Sequence, residues 1–360
     1  MLPIRMHAWL LTGHGGFEAL EYRSDVAVPE PGAGEVLVRV RAAAVNNTDI
    51  NLRSGWYGKS ARTVEAGEGG AACPGHLCGP GGWRGTSVAF PLIQGADACG
   101  QIAAVGSGVS PARIGERVIV NPVLGPSPQS PDGAARYLGS DCNGAFAEFV
   151  AVPEANAVRI ESTLSDAEIA SFPCSYSAAE NMLTRARICR GDAVLITGAS
   201  GGVGTAAVQL ALRRGARVSV VAAAQKAARL EALGAAQFVA RNEDLIARLG
   251  RESIDAVIDV VGGASFTALL EVLKPGGRYA VAGAIGGALV PLDLRTVYLK
   301  DLSLYGCTVP EPRVFANLVR YIEAGEIRAI LSRTFALREL PQAQRAFLEK
   351  VHVGKIVLLM

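Results

Sequence analysis

The run Thr197–Gly204, which reads Thr-Gly-Ala-Ser-Gly-Gly-Val-Gly, has the residue types of a dinucleotide-binding turn. It follows the apolar run Ala193–Ile196 and leads into a helical pattern over Val203–Arg214. Glycines permit a tight turn and close approach of a pyrophosphate, and the start of a helix attracts anions. This order, rather than the 42 glycines among 360 residues, predicts the site. The expected contacts are Gly198, Gly201, Gly202, Val203 and Gly204.

The residues after the next predicted strand, Arg217–Ala222, indicate which dinucleotide binds. A carboxylate at this place normally binds the ribose 2′-hydroxyl of NAD, and none is present. Lys226 follows instead, and Arg241 follows the third strand. Cationic side chains suit a 2′-phosphate, so NADPH is the predicted cofactor. The alternative is that Lys226 and Arg241 are solvated surface charges.

Later strand ends supply further candidate cofactor contacts. Gly262 follows the predicted fourth strand, and Ala282 and Gly283 end the fifth. In a parallel sheet the carboxyl ends of the strands line the crevice that binds the ligand. The alternative is that these residues are ordinary strand termini.

Composition and charge limit the possible partners. A length of 360 residues predicts about two domains, and a net charge of +2 without dense basic runs argues against a nucleic-acid or anionic-membrane surface. The sequence lacks a signal-peptide pattern and an apolar run long enough to cross a bilayer. Seven cysteines without a disulfide-type spacing favour a reduced, cytoplasmic protein.

One cluster has the residue types of a metal site. Cys73, His76 and Cys78 lie within six residues, but no fourth ligand is evident, and we expect no bound metal. The cluster lies in a glycine-rich stretch between Gly58 and Pro91, which predicts a long surface loop of undetermined role.

The elements that must position these residues change character along the chain. The first part contains short strand patterns separated by turns, and Ser165-Asp166-Ala167-Glu168 is a capping-box pattern that opens a helix. Strand and helix patterns then alternate, which predicts an α/β region with a doubly wound parallel sheet.

A series of short motifs follows in order along the chain, namely Asn46–Asp49, Arg53–Tyr57, Gly95–Gly100, Val105–Val109, Gly115–Val118, Gly144–Glu148, the glycine-rich turn and Gly354–Leu358. Together they resemble the motifs of the medium-chain dehydrogenase/reductase family. The resemblance implies a GroES-like β-rich catalytic domain over 1–160, completed by 311–360, and a Rossmann domain over 161–310. It also implies a homodimer formed through edge strands, for which Leu302–Tyr305 is a candidate.

Zinc-dependent members of this family hold a catalytic zinc through Cys, His and Cys. This chain has Asn46, Ala96 and Cys174 at those positions, and one thiolate cannot hold zinc. The region of the structural-zinc lobe offers only Cys142. The chain instead resembles the zinc-independent quinone oxidoreductases.

That branch has Asn, Asp and Tyr at the positions of Asn46, Asp49 and Tyr57. The chain departs from it at Asn51, where related reductases often have an aromatic residue.

Without a Lewis acid, an electron-poor acceptor such as a quinone or an α,β-unsaturated carbonyl is the expected small-molecule substrate. The Tyr57 hydroxyl and the Asn46 amide are predicted to stabilise charge on its carbonyl oxygen. Tyr57 is also a candidate proton donor, although a phenol with a pKa of about 10 is a poor acid at neutral pH. Asp49 is predicted to orient Asn46 or the nicotinamide ribose.

Each of these residues has an alternative interpretation. Asp49 suits a turn or helix cap equally well, and Tyr57 suits packing within a loop. Lys355 is a candidate cofactor contact, with a surface position as the more favoured interpretation. Two other functions remain open, a zinc-type alcohol or aldehyde dehydrogenase with an atypical metal site at Cys174, and a non-catalytic NADPH-binding protein.

Overall fold

A computed structural model of the chain describes residues 2–58, 82–83, 87–126 and 135–360. Cys73, His76, Cys78 and most of the predicted 58–91 loop lie outside these residues. The chain divides into two compact units, the first comprising Met1–Cys174 with Leu331–Met360 and the second Ser175–Ile330. The observed divisions thus fall after residues 174 and 330, where the sequence predicts them after 160 and 310.

The described residues form strands and helices throughout both units. The strands are β1 (Arg5–Leu11), β2 (Leu20–Ala27), β3 (Glu35–Ala44), β4 (Leu92–Ile93), β5 (Cys99–Val105), β6 (Arg117–Val120), β7 (Val123–Pro126), β8 (Ala135–Tyr137), β9 (Phe149–Pro153), β10 (Ala157–Arg159), β11 (Ala193–Ile196), β12 (Arg217–Ala222), β13 (Gln237–Ala240), β14 (Ile254–Asp259), β15 (Leu273–Val281), β16 (Ser303–Gly306), β17 (Leu331–Ala336) and β18 (Lys355–Leu359). The helices are α1 (Asn47–Arg53), α2 (Asp166–Ala170), α3 (Pro173–Arg185), α4 (Gly202–Arg213), α5 (Ala227–Glu231), α6 (Leu245–Leu249), α7 (Phe266–Val272), α8 (Leu294–Leu299), α9 (Pro312–Glu323) and α10 (Leu340–Leu348).

The second unit is built on one parallel six-stranded sheet. Its strand order is β13-β12-β11-β14-β15-β16, and every neighbouring pair is parallel. This is the 3-2-1-4-5-6 order of a doubly wound Rossmann sheet, as predicted. All four residues of β11 are buried, which explains why its sequence is a continuous apolar run rather than an alternating one.

One element of this sheet differs from the prediction. The pattern Pro275-Gly276-Gly277 predicts a break before a strand that begins at Tyr279, whereas β15 already begins at Leu273. Its register against β14 shifts after the pair Ile254 and Leu273, and the next pair is Ala256 and Arg278. The strand therefore accommodates proline and glycine in an irregular segment.

The first unit contains a seven-stranded sheet that joins distant parts of the chain. Its main order is β10-β6-β5-β3-β18-β17, and β9 also pairs with β3. The C-terminal strand β18 is antiparallel to β3 and parallel to β17. Residues from the two ends of the chain consequently share one buried core.

Two helix starts position residues of interest in this unit. The capping box predicted at α2 is confirmed, since Ser165 N donates to Glu168 Oε2 at 2.9 Å and Glu168 N donates to Ser165 Oγ at 3.3 Å. The start of α1, directly after β3, carries Asn46 and Asp49. Of the helices described, none is both long and apolar enough to cross a membrane.

Candidate active site

A buried polar network lies where β3 and β18 meet in the first unit. Lys355 Nζ donates to Asp97 Oδ2 at 2.9 Å, to Val45 O at 3.2 Å and to Asn46 Oδ1. Asn46 Nδ2 donates to Asp97 Oδ2 at 2.9 Å and to Ala44 O at 3.2 Å. The ammonium hydrogens of Lys355 and both amide hydrogens of Asn46 thus have oxygen acceptors within the protein.

The burial of Lys355 corrects one interpretation of the sequence. Only 3% of Lys355 and none of Asp97 is exposed, so the favoured surface position of Lys355 is wrong. The physical reason is that β18 is an interior strand of its sheet, with β3 and β17 on either side. A role of Lys355 toward the cofactor stays a prediction.

Asp49 lies on the first turn of α1 and caps it. Its Oδ2 accepts from Asn46 N at 2.7 Å, and Asp49 N donates to Asn46 O at 3.2 Å. Asp49 therefore fixes the backbone of Asn46, as the capping interpretation requires. Burial raises the pKa of Asp49 to about 7, despite the hydrogen bond from Asn46 N and the nearby ammonium of Lys355. Its predicted role toward the nicotinamide ribose stays a prediction.

Tyr57 lies just beyond α1 and is partly buried, with its ring 5.4 Å from that of Trp56 in an edge-to-face arrangement. Burial raises its pKa above the ordinary value, a hydrogen bond with Asn51 opposes this shift, and the neighbouring Cys174 and Asp49 raise the pKa further. The hydroxyl is therefore a poor proton donor but remains a hydrogen-bond donor. This contact also gives a local role to Asn51, the residue that departs from the related reductases.

Two further residues of the first unit complete this cluster, and one of them escaped the sequence analysis. Tyr137, at the end of β8, donates from its hydroxyl to Cys174 Sγ at 3.0 Å, and its ring packs 4.5 Å from that of Trp83. Cys174 N donates to Asp97 Oδ1 at 2.6 Å, which ties Cys174 to the network of Lys355. No periodic pattern surrounds Tyr137, so no local signal in the sequence marks it.

The Cys174 thiol and the buried pair of Lys355 and Asp97 set the electrostatics of the cluster. Burial and the nearby Asp97 raise the pKa of the Cys174 thiol to about 12. The buried ammonium of Lys355 already neutralises Asp97 and would repel a second cation. Within the described ranges, no group of three His, Cys, Asp or Glu side chains is placed to hold a metal ion.

A neighbouring hydroxyl offers another donor. Thr48 Oγ1 is buried and has no hydrogen-bond partner among the residues that the structure describes. Thr48 belongs to the first turn of α1, between Asn46 and Asp49. The sequence analysis did not single it out, because a threonine inside a helix carries no signal of its own.

In the second unit the glycine-rich turn has the geometry expected of an anion site. Gly198 adopts a φ of +56°, and Gly201 N donates to Gly198 O at 3.0 Å before α4 begins at Gly202. A Cβ on Gly204 would lie 2.3 Å from Gly198 O, so helix and turn pack too closely for any side chain. Val203 follows in the first turn of α4. Gly201 is the N-cap residue of α4 and has no side chain with which to cap the helix. It therefore does not compete with an anion for the N–H groups of the first turn.

Three cationic side chains converge beyond β12. Lys226 is 4% exposed and its Nζ donates to Ser200 Oγ at 3.1 Å, so it contacts the glycine-rich turn and is not the solvated surface charge of the alternative interpretation. Burial lowers its pKa, and the guanidinium groups of Arg241 and Arg229 lower it further. Arg241 is itself exposed, at the end of β13. An anion placed here would relieve this mutual repulsion.

The ends of β14 and β15 approach each other through their main chains. Gly262 adopts a φ of +63°, and a Cβ on Gly283 would lie 3.0 Å from Val260 O. Ala282 N donates to Asp259 O at 3.2 Å. The buried carboxylate of Asp259 accepts from Val261 N at 2.8 Å and from Gly262 N at 3.1 Å, which fixes the turn after β14. The three predicted residues thus lie at the carboxyl edge of the sheet.

Comparison with known proteins matches this architecture along nearly the whole chain. The profile of the alcohol dehydrogenase GroES-like domain matches residues 32–162, and that of the zinc-binding dehydrogenases matches 202–324. A solved structure from Sinorhizobium meliloti 1021, provisionally named an alcohol dehydrogenase, is 44% identical, with a TM-score of 0.88 over 99% of this chain and 97% of that one. The chain therefore belongs to the medium-chain dehydrogenase/reductase superfamily.

More distant relatives indicate the branch. Acryloyl-coenzyme A reductase of Metallosphaera sedula is 28% identical over 98% of this chain and 99% of its own length. Quinone oxidoreductase of Rattus norvegicus is 26% identical over 96% and 95%. The structure of the 2-octenoyl-CoA carboxylase reductase CinF, in complex with NADP and 2-octenoyl-CoA, is 25% identical, with a TM-score of 0.82 over 100% and 88%. The chain is an oxidoreductase of the quinone-oxidoreductase-like branch.

The matched profile of the zinc-binding dehydrogenases does not by itself imply zinc in this chain. It covers residues 202–324, which do not include Asn46, Ala96 and Cys174, the positions that the family resemblance assigns to the catalytic zinc ligands. Oxidoreductases of this superfamily bind nicotinamide cofactors, in agreement with the turn at Gly198–Gly204.

Proposed function

We propose that this protein is an NADPH-dependent, zinc-independent reductase of quinones or α,β-unsaturated carbonyl compounds. The observation that carries the proposal is the buried ammonium of Lys355 bonded to Asn46 and Asp97, beside the positions where zinc-dependent relatives place their metal ligands. An acceptor that is already electron-poor needs no Lewis acid. The relatives named for quinones and for unsaturated CoA thioesters support the same substrate class.

The residues of the second unit fit NADPH. The turn at Gly198–Gly204 would hold the pyrophosphate, and Lys226 with Arg241 would bind the 2′-phosphate through charge-assisted hydrogen bonds. Gly262, Ala282 and Gly283 would lie against the nicotinamide half. When bound, this cofactor supplies a hydride. The NADP complex of CinF adds support for the phosphorylated form.

The residues of the first unit would bind and polarise the acceptor. As hydride reaches a conjugated carbon or oxygen, negative charge collects on the carbonyl oxygen and must be stabilised by fixed donors. Tyr57 supplies a hydroxyl for this purpose. Asn46 can contribute its amide only if it gives up a bond to Ala44 or Asp97, so its larger contribution is to hold Asp97 and Lys355 in place.

We also propose that the protein acts as a homodimer in the cytoplasm. Strand β16 lies at the edge of the six-stranded sheet, and exposed apolar side chains surround it. The five cysteines within the described ranges are free thiols, as in a reducing compartment.

One screen tests the catalytic proposal. Purified protein is assayed for NADPH and NADH oxidation against quinones, enones, enoyl thioesters, aldehydes and alcohols, and metal content is measured on the same sample. We expect turnover of quinones or enones with NADPH, retained after dialysis against a chelator. Stoichiometric zinc together with alcohol oxidation would instead indicate the zinc-type alternative. Tight NADPH binding without turnover of any acceptor would indicate the non-catalytic one.

A further inference from the structure

We propose that the Tyr137 hydroxyl is a second donor to the carbonyl oxygen of the acceptor, beside that of Tyr57, and that the sulfur of Cys174 holds the Tyr137 hydroxyl in position until the acceptor arrives. The inference rests on the proposed function and adds a catalytic residue to it. Neither the sequence motifs nor the resemblance to related reductases marks Tyr137.

The amine and amide donors of the cluster are engaged by strong acceptors. The hydrogens of Lys355 and Asn46 bond to oxygen atoms, among them the carboxylate of Asp97. Hydrogen bonds to charged groups are stronger than those between neutral groups, and a buried partner left unpaired is costly. A substrate that took over one of these donors would first have to break a strong hydrogen bond. The new bond to the substrate would therefore add little net binding energy.

Tyr137 differs because its acceptor is sulfur. A thiol sulfur is a weak hydrogen-bond acceptor, so the bond to Cys174 Sγ at 3.0 Å orients the hydroxyl at little cost when it is exchanged. A carbonyl oxygen gaining negative charge is a far stronger acceptor. The exchange from sulfur to oxygen thus becomes favourable mainly as charge develops, which is the requirement for lowering a barrier.

The surroundings of Tyr137 keep the hydroxyl both fixed and protonated. The ring packs against Trp83, and the residue is 6% exposed. Burial raises the pKa of Tyr137 well above its ordinary value, and the neighbouring Cys174, Asp97 and Tyr57 act in the same direction. The phenol therefore donates a hydrogen bond without losing its proton. Hydride brings both electrons to the conjugated carbon, and a solvent proton completes the saturated product.

The substitution Tyr137→Phe tests this role, because it removes the hydroxyl and keeps the ring against Trp83. We expect kcat for an enone to fall about 100-fold, the typical loss for one oxyanion donor, with unchanged affinity for NADPH. The fall should be smaller for a quinone, which needs less stabilisation of its oxygen. In the wild type, the infrared carbonyl stretch of a bound ¹³C-labelled enone should lie at lower frequency than in the variant.

A double-mutant cycle that combines Tyr137→Phe with Cys174→Ala distinguishes two roles of Tyr137. In one role its hydroxyl donates to the substrate, and in the other it only supports the Cys174 thiol. If Tyr137 acts on the substrate, Tyr137→Phe still lowers kcat in the Cys174→Ala background, by a smaller factor because the sulfur no longer holds the hydroxyl in position. If the effect of Tyr137→Phe disappears in the Cys174→Ala background, Tyr137 acts through the sulfur and the inference is overturned. A wild-type kcat in Tyr137→Phe, with the loss appearing in Thr48→Val instead, also overturns it. A wild-type protein that reduces no acceptor refutes the proposed function, and this inference with it.

Discussion

Lys226 is the residue through which we expect the protein to distinguish the two dinucleotides. It is buried beside Ser200, with Arg241 and Arg229 near enough to depress its pKa, and no carboxylate follows β12 to bind a free 2′-hydroxyl. A 2′-phosphate bound beside these cations would relieve their mutual repulsion, and NAD carries no phosphate at that position.

We therefore predict that Lys226→Ala raises the KM for NADPH about 10- to 100-fold, the equivalent of one lost charge-assisted bond, and leaves the KM for NADH nearly unchanged. Steady-state kinetics with both cofactors measure this. Arg217→Ala is a matched control, because Arg217 is exposed at the opposite end of the same strand. An equal rise for NADH would show that Lys226 supports the turn rather than recognising the phosphate.

Asp49 makes stability depend on pH. Its pKa is about 7 in the folded protein and about 4 in an unfolded chain, so the folded state holds the extra proton between these values. The contribution of Asp49 to the free energy of unfolding should consequently be highest below about pH 4. It should fall as the pH rises toward 7. Asp49→Asn keeps an oxygen acceptor for Asn46 N.

The expected result for Asp49→Asn is a flatter dependence of the unfolding free energy on pH between about 4 and 7, measured by urea titration. Asp25→Asn serves as the control. Asp25 is exposed and its pKa is lowered by a hydrogen bond from Arg23, so its contribution lies below this window. Identical slopes in wild type and Asp49→Asn would contradict the assignment.

The residues that sequence reasoning located are those with local signals. The family resemblance indicated Asn46 and Asp49, and spacing indicated Gly198 and Gly204, because each pair lies within one short motif. Lys355 was misplaced because its burial depends on a strand pairing between residues more than 300 positions apart. Tyr137 was missed for the same reason, since its partner Cys174 lies on another element.

At the scale of elements, Gly201 and Gly204 have different roles in the turn between β11 and α4. A Cβ on Gly204 would lie 2.3 Å from Gly198 O and 2.5 Å from Ala199 Cα, both in the main chain. A Cβ on Gly201 would lie 3.6 Å from its nearest neighbour, Gly198 O, and the φ of Gly201 is −77°. We therefore expect the protein to tolerate alanine at 201 and not at 204.

Gly204→Ala should thus destabilise the protein by about 2 kcal/mol or more, because main-chain atoms cannot move aside as a side chain would. Gly201→Ala should unfold at the wild-type temperature yet bind NADPH more weakly, since a methyl group at the turn obstructs the pyrophosphate. Differential scanning calorimetry and cofactor titration separate the two effects. Equal stability of both variants would contradict the packing described here.

Elements with strong periodicity were predicted nearly to the residue, and those shaped by neighbours were not. Strand β12 matches the predicted Arg217–Ala222, because its apolar residues reflect burial along most of its length. Strand β15 begins six residues before the predicted Tyr279, because pairing with β14 outweighs the turn preference of Pro275-Gly276-Gly277.

For the molecule as a whole, the edge strand β16 suggests self-association. Leu289 is 81% exposed, Leu299 70% and Leu304 40%, within 16 residues of one another around α8 and β16. An unpaired strand edge beside apolar side chains is a template for pairing with a second copy. Leu304→Lys combined with Leu299→Lys should convert a dimer to a monomer, as measured by light scattering after size-exclusion chromatography.

Ile114→Lys provides the control, since Ile114 is 52% exposed but lies in the first unit. A protein that is already monomeric before substitution, or one that Ile114→Lys dissociates equally well, would rule out this interface.

The position of β18 has a consequence for how the protein is made. Asp97 is completely buried, and the cation that neutralises it is the first residue of the last strand. A ribosome therefore synthesises the whole second unit before it adds the lysine that neutralises Asp97. Until then the nascent chain holds a carboxylate that is costly to bury, so the polar network around Lys355 should form only after the second unit has been synthesised.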